Sequence, residues 1–156
     1  IVAIVLYLLA RFLPRSPLRR FVRPPAPADP AHVIALRELT GLREEELWQK
    51  GEIKEYYSRL SDILRRYIDN RYGISSPELT TDETVRMLQK ATVTTAGQMA
   101  LVKELLSLSD MVKFAKYLPD SSLHDKYLDD AVRFVGETKV PEVPAEEAQG
   151  KGGGHA

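Results

Sequence analysis

The chain has 156 residues, no cysteine, and 22 acidic against 22 basic side chains. This length suits one domain with an appendage rather than two domains with separate cores. The absence of cysteine excludes a disulfide framework, a thiol nucleophile and a thiolate metal site. A formal net charge of zero gives no sign of a nucleic-acid-binding protein.

The first 13 residues predict the C-terminal part of a transmembrane helix. Residues 1–10 carry no charge, and the apolar run resumes after Arg11. Thirteen helical residues cover about 20 Å, less than the roughly 30 Å hydrocarbon core, so we expect a fragment that starts partway through the span. A secretory signal peptide fits less well because its positive charges precede the apolar run. A core helix of a soluble protein would leave the Arg/Pro flank unexplained.

Residues 14–29 are interpreted as an arginine- and proline-rich juxtamembrane linker. Six of the ten prolines lie between residues 14 and 30, which favours extended polyproline-like backbone. Basic residues beside a membrane exit favour the cytoplasmic side, so the domain that follows is expected in the cytoplasm. The residues expected at the membrane interface are Arg11, Arg15, Arg19, Arg20 and Arg23.

Residues 30–138 predict an all-α fold, a small bundle of about five helices, because apolar residues recur there at helical spacing. This region holds 15 basic and 18 acidic residues, a net charge of −3, so the basic character belongs to the linker. A helix-turn-helix DNA reader, with its short helix near residue 85, would lack the positive charge that phosphate contacts need. We therefore expect no nucleic-acid partner.

The first two helices have recognisable ends. Asp29 is expected to cap a helix that starts at Pro30 and that bends or breaks near Glu44–Glu46. Residues 52–72 form the clearest apolar stripe, and Gly73 is its expected left-handed stop. On the opposite face we expect ion pairs four residues apart, Glu55 with Arg59 and Asp62 with Arg66.

Three further helices follow. Thr80 and Glu83 predict a capping box that opens a helix to about Lys90, and residues 91–97 are either a loop or a frayed helix entry. Residues 97–118 predict one helix, continuous or broken at residues 107–110 and closed by Pro119. Ser121 or Ser122 is expected to cap the last helix. The remaining residues, 139–156, predict a disordered tail whose GKGGG lacks the spacing of a phosphate loop.

Candidate sites are few. The local group His124, Asp125, Asp129 and Asp130 does not converge on one helix face, so we expect a solvated polar face there. We accordingly predict no catalytic residue, no metal site, no cofactor and no small-molecule substrate. Most aromatic residues have core spacing, but adjacent Tyr56 and Tyr57 are not both expected to point inward. The candidate partner-binding residues are Tyr57, Lys113, Lys116 and Tyr117, which would flank a groove for a partner helix.

Three stretches together resemble a known family: residues 47–74, residues 78–83, and LLSLSDMVKFAKYLPD with the helix after it. They are similar to the cytoplasmic region of bacterial membrane proteins encoded beside MoxR-type ATPases and von Willebrand factor A-like proteins, including the Bat (aerotolerance) group. The resemblance covers roughly residues 30–136. It implies a place in the bacterial inner membrane and one of those two proteins as partner, and it carries no catalytic residue to this chain.

These observations predict a membrane-anchored helical protein–protein interaction domain, an adaptor or assembly factor and not an enzyme. Tethering raises the local concentration of a weakly bound partner, so modest affinity suffices. The alternative is a transmitting or stabilising domain of a larger membrane sensor or enzyme whose active part lies upstream.

Overall fold

The computed structural model describes residues 29–91 and 93–140, and within them it contains helices and no strand. The helices are α1 (Ala31–Glu44), α2 (Ile53–Tyr72), a short 3-10 turn (Ser76–Glu78), α3 (Thr81–Ala91), α4 (Ala96–Ala115) and α5 (Ser122–Thr138). The predicted all-α bundle of about five helices is thereby confirmed. The expected membrane helix, nearly all of the linker and nearly all of the tail lie outside the described residues. None of the described helices is long and apolar enough to cross a membrane.

The core is built around α2, which packs against α1, α4, α5 and the 3-10 turn. Because neighbours cover α2 on several sides, its buried arc is wider than a single stripe. Both Tyr56 and Tyr57 are buried, with 1% and 0% of their surfaces exposed. The expectation that these two tyrosines would not both point inward was therefore wrong.

The start of α1 differs from the prediction, whereas its end agrees with it. Pro30 is the N-cap residue and no side chain caps the first amides, since the Asp29 carboxylate instead pairs with Arg37 at 3.0 Å. The helix stops at Glu44, and Glu46 has a positive φ of 50°. The predicted break before Leu47 is confirmed.

Local signals at three other helix ends identify their caps. Gly73 ends α2 in the left-handed region with φ of 68°. The backbone amide of Thr80 donates to Glu83 Oε2 at 2.9 Å, and Glu83 N donates to Thr80 Oγ1 at 3.3 Å, as a capping box requires. The ambiguous stretch before α4 contains a second capping box, between Thr95 and Gln98.

The α4–α5 connection is longer than expected. Helix α4 continues without a break through residues 107–110 and ends at Ala115, three residues before the predicted end. Lys116 takes the left-handed conformation with φ of 55°, which turns the chain away from the helix axis. Ser121 precedes α5 but makes no capping bond. Instead Asp120 Oδ1 accepts a hydrogen bond from Ser122 N at 2.9 Å.

Ion pairs join helices rather than running along α2. Arg59 binds both carboxylate oxygens of Glu45, and Arg66 pairs with Glu38 at 3.1 Å. The predicted Glu55–Arg59 and Asp62–Arg66 pairs were therefore wrong, because acids beside α2 compete for the same guanidinium groups. Exposed pairs of this kind contribute up to about 1 kcal/mol each.

The bundle has two distinct ends. At the proximal end, α2 and α5 finish together, with Arg71 Nε donating to Thr138 O at 2.8 Å, and a groove is lined by Ala31 of α1 and Asn70 of α2. At the distal end lie the α1–α2 turn, the start of α2 and the α4–α5 connection, where Tyr56 Oη donates to His124 O at 2.8 Å. The chain thus enters and leaves the described domain at the same end.

Candidate functional site

An apolar surface is exposed at the distal end, where α4 gives way to the connection with α5. Phe114 has 79% of its surface exposed and Leu118 has 73%, while Met111 and Tyr117 have 45% each. We call these four residues the distal surface. Large side chains with this exposure have little reason to be apolar for the stability of the domain itself, so the surface is a candidate for binding.

Two features of the backbone explain why these side chains face outward: the rotation of residues around α4 and the turn at Lys116. The buried face of α4 includes Leu105, Leu108 and Val112. Phe114 follows Val112 by two positions, about 200° around the helix, so it points away from the core. Pro119 is buried after the turn, which leaves Leu118 on the outside. The exposure of the surface thus follows from backbone geometry.

Positive charge accompanies the aromatic rings. The Lys113 ammonium lies 5.7 Å from the centroid of the Phe114 ring and 3.8 Å from the Asp62 carboxylate. Its side chain is largely covered, with 21% exposed. Lys116, in contrast, is exposed and makes no ion pair among the described residues. The free cation of the distal surface is therefore Lys116.

A groove borders Phe114 between the start of α3 and the end of α4. It encloses about 410 Å³, and its lining includes Pro77, Leu79, Asp110 and Phe114. The opening is large enough for one or two apolar side chains of a partner. A flat apolar surface beside a concave one is typical of protein-binding sites.

Arg65 fixes one wall of this groove from beneath. Its Nη1 donates to the carbonyls of Ser76 and Leu79 at 2.9 and 2.8 Å, and its Nη2 donates to Thr81 Oγ1 at 3.0 Å. Thr81 Oγ1 in turn donates to Asp110 at 2.7 Å. Burial lowers the pKa of Arg65, and Asp110 opposes this effect. The guanidinium group therefore acts as a structural support that joins α2, α3 and α4.

Of the four predicted partner-binding residues, three lie at or beside the distal surface and one is buried. Lys116 and Tyr117 lie exposed at the distal surface, and Lys113 lies beside them. Tyr57 does not belong to the surface, because it is fully buried beneath the α4–α5 connection. Burial raises its pKa, with a further contribution from Tyr117. The expected interface arginines at positions 11, 15, 19, 20 and 23 lie outside the described residues.

Sequence reasoning missed Phe114 and Leu118 as surface residues, although a signal was present. Both lie within residues 97–118, the stretch whose apolar spacing predicts one helix. Met111, Phe114 and Leu118 are spaced by three and four residues, but they are out of step with Leu105 and Val112. A second stripe at helical spacing indicates that one helix has two apolar faces, of which only one can lie in a small core.

His124 does not lie on a solvated polar face, so that prediction was wrong. Only 2% of its surface is exposed, and its ring stacks tilted against Trp48 with centroids 4.9 Å apart. Its Nδ1 shares a hydrogen bond of 2.9 Å with Tyr57 Oη. Desolvation lowers the pKa of His124, while Asp125 and Asp120 oppose the shift. The cluster is a buried neutral contact between α2 and α5.

The aspartates near His124 have separate roles. Asp130 is buried and accepts from Lys126 at 2.8 Å and from Arg133 at 2.7 Å, all within α5. Asp129 pairs with Arg43 of α1. Within residues 29–91 and 93–140, no group of three or more acidic or histidine side chains is placed to hold a metal ion.

A second groove, of about 500 Å³, lies between α1 and α2 and is lined in part by Glu38, Gly41, Asp62 and Arg66. Its charged side chains already pair with protein groups, Arg66 with Glu38 and Asp62 with Lys113. It therefore lacks the convergent unpaired groups that orient a small ligand.

Fold and surface together define a small helical bundle with an exposed distal apolar surface. Comparison with protein families, with curated proteins and with solved structures found no match for this chain. The geometry of the distal surface is thus the main support for any functional assignment.

Proposed function

We propose that this chain is a membrane-tethered interaction module, an adaptor or assembly factor that presents its distal surface to a cytosolic protein. One observation carries the proposal: Phe114 and Leu118 are 79% and 73% exposed where α4 gives way to its connection with α5, away from Ala31, where the described domain begins. A tether on the proximal side leaves this surface free for a partner. Exposed aromatic side chains beside a groove are common binding anchors.

The resemblance of residues 30–136 supplies the first partners to test, a MoxR-type ATPase or a von Willebrand factor A-like protein encoded beside this chain. The tether and the cytoplasmic location are part of the same proposal and rest on residues 1–29.

A pull-down with the full chain tests the proposal. We expect Phe114→Ala to reduce capture of the co-encoded partner at least tenfold, since removal of an interface aromatic anchor commonly costs about 2 kcal/mol. Thermal unfolding of this variant should be unchanged, because the side chain is exposed.

Met87→Ala is the matched control, because Met87 is also an exposed apolar residue, 43% exposed, but lies on α3. It should leave capture intact. If neither candidate partner is enriched over an unrelated tethered helical domain, or if Phe114→Ala is captured as well as the unchanged chain, the interaction module is the wrong assignment.

A further inference from the structure

Lys116 occupies a backbone position that is unfavourable for a side chain. Its φ of 55° places it in the left-handed region at the C-cap of α4. At the corresponding end of α2 the chain uses glycine, Gly73, with φ of 68°. Glycine adopts this conformation without the steric conflict that a Cβ introduces. A lysine here is therefore a poorer choice for folding than glycine would be.

The C-terminus of α4 favours a cation at this position, but the Lys116 ammonium has no carboxylate partner among the described residues. Lys116 is exposed and forms no ion pair within residues 29–91 and 93–140. It is adjacent in the chain to Tyr117 and two positions from both Phe114 and Leu118. A cation held at this position, at the edge of an apolar surface, is available to a carboxylate of a bound molecule.

Two other occupants fit the distal surface less well. A second copy of the chain, docked by twofold symmetry, would bring the same surface against itself and bury two Lys116 cations in one interface without adding a carboxylate to the four residues of that surface. An anionic bilayer would attract the lysine, but the distal end lies about 30 Å from the proximal end, one length of the 20-residue α2, and the chain enters at the proximal end. A separate acidic protein segment meets neither difficulty.

We infer that the partner presents an acidic segment with apolar side chains, which pack on Phe114 and Leu118 while a carboxylate pairs with Lys116. The inference rests on the proposed function and specifies its partner. The groove beside Phe114 receives an apolar side chain of the segment. Lys113, held between Asp62 and the Phe114 ring, keeps that ring in place.

Photo-cross-linking of the full chain in its native membrane tests this inference. The probe is Leu118→p-benzoylphenylalanine, which reports contacts of the distal surface while retaining Phe114 and Lys116. We expect a cross-link to a protein segment that carries Asp or Glu within a few residues of the attachment point. Adding Lys116→Gly should lower the yield about fivefold, the effect of one exposed ion pair.

Lys116→Gly also distinguishes binding from folding. Because glycine suits the left-handed position, and this gain exceeds the loss of a cation at the helix C-terminus, the variant should raise the Tm of the domain by about 2 °C while it lowers the cross-link yield. Glu46→Gly is the matched control, since Glu46 has a similar positive φ of 50° but lies in the α1–α2 turn. It should raise the Tm without changing the yield.

The other possible outcomes contradict either the acidic partner alone or the proposed function as well. A cross-link to a neutral or basic protein segment, or a yield unaffected by Lys116→Gly, contradicts the acidic partner but leaves an interaction module. A cross-link to a second copy of the chain replaces the heterologous partner by self-association. A cross-link to lipid alone, or none above a probe at exposed Arg86 on α3, contradicts both the acidic partner and the proposed function.

Discussion

The imidazole of His124 lies where a positive charge is unfavourable. It is enclosed by Trp48, Tyr56 and Tyr57, and desolvation lowers its pKa despite the carboxylates of Asp125 and Asp120. An unfolded chain restores a pKa of about 6.5, so the unfolded state binds a proton more readily than the folded state.

Stability should therefore depend on pH through this residue. The stability contributed by neutral His124 is fully present above about pH 6.5. This contribution should decline as the pH falls below that value toward the lowered pKa of the folded state. Urea unfolding between pH 7.5 and 5.5 measures the decline, and NMR titration of the His124 ring measures its pKa directly. His124→Asn should flatten the dependence, and a folded-state pKa at or above 6.5 would contradict the argument.

His124 also shows that the residues next to a side chain in sequence do not determine its surroundings in the fold. His124 has polar neighbours in sequence, which suggest a solvated face, but its position is determined by Trp48 and Tyr57, which are 76 and 67 residues away. Only the packing of α5 on the start of α2 brings these rings together. The assignment of Tyr57 to the partner-binding group was wrong for the same reason, whereas Lys116 and Tyr117 are exposed as that prediction requires, although it placed them inside the helix rather than after its end.

At the scale of helices, the cap of α5 offers a sharp comparison between two neighbouring residues. Ser121 has the expected chemistry but no capping bond, whereas Asp120 accepts from both Ser122 N and Ser122 Oγ. These bonds lower the pKa of Asp120. The aspartate, not the serine, is the group that holds the first turn.

Asp120→Ala should therefore lower the midpoint of chemical denaturation, and Ser121→Ala should leave it nearly unchanged. Chemical denaturation of the two variants at pH 7 measures the difference. Thr95→Ala, which removes the capping box of α4, is a positive control with an expected loss of about 1 kcal/mol. Equal losses for Asp120→Ala and Ser121→Ala would show that the serine caps the helix after all.

Helix positions were predictable because their signals are local. The apolar spacing of α2, the glycine at its end and the capping box before α3 each involve residues within one or two turns. The partners of Arg59 and Arg66 were not predictable, because Glu38 belongs to α1 and Glu45 to the turn after it, and both reach α2 only after the helices pack. The unbroken course of α4 likewise depends on its burial against α2.

For the whole molecule, the proposed tether implies an orientation. Ala31 and Asn70 lie at the proximal end and Ser121 at the distal end, separated by about the 30 Å length of α2. The chain contains no cysteine, so single cysteines can be introduced for labelling. A domain held by residues 14–29 should keep its proximal end closer to the bilayer.

We expect a fluorophore on Asn70→Cys to be quenched by brominated lipids more strongly than one on Ser121→Cys, with the full chain in lipid nanodiscs. Both positions are exposed, so the labels should not disturb the core. Dodecyl maltoside micelles without brominated lipid give the unquenched reference. Equal quenching at both positions would contradict a fixed orientation, and stronger quenching at Ser121 would reverse it.

The described domain begins at one end, and the distal surface lies toward the other. This placement also determines how the domain responds to a pulling force. A partner that pulls on Phe114 and Leu118 against a fixed Ala31 stretches the bundle parallel to its helix axes. The contacts of α1 with α2 and α5 then bear the force together, in shear, rather than separating one after another. Such a bundle can transmit a pull from Leu118 to Ala31 without coming apart helix by helix.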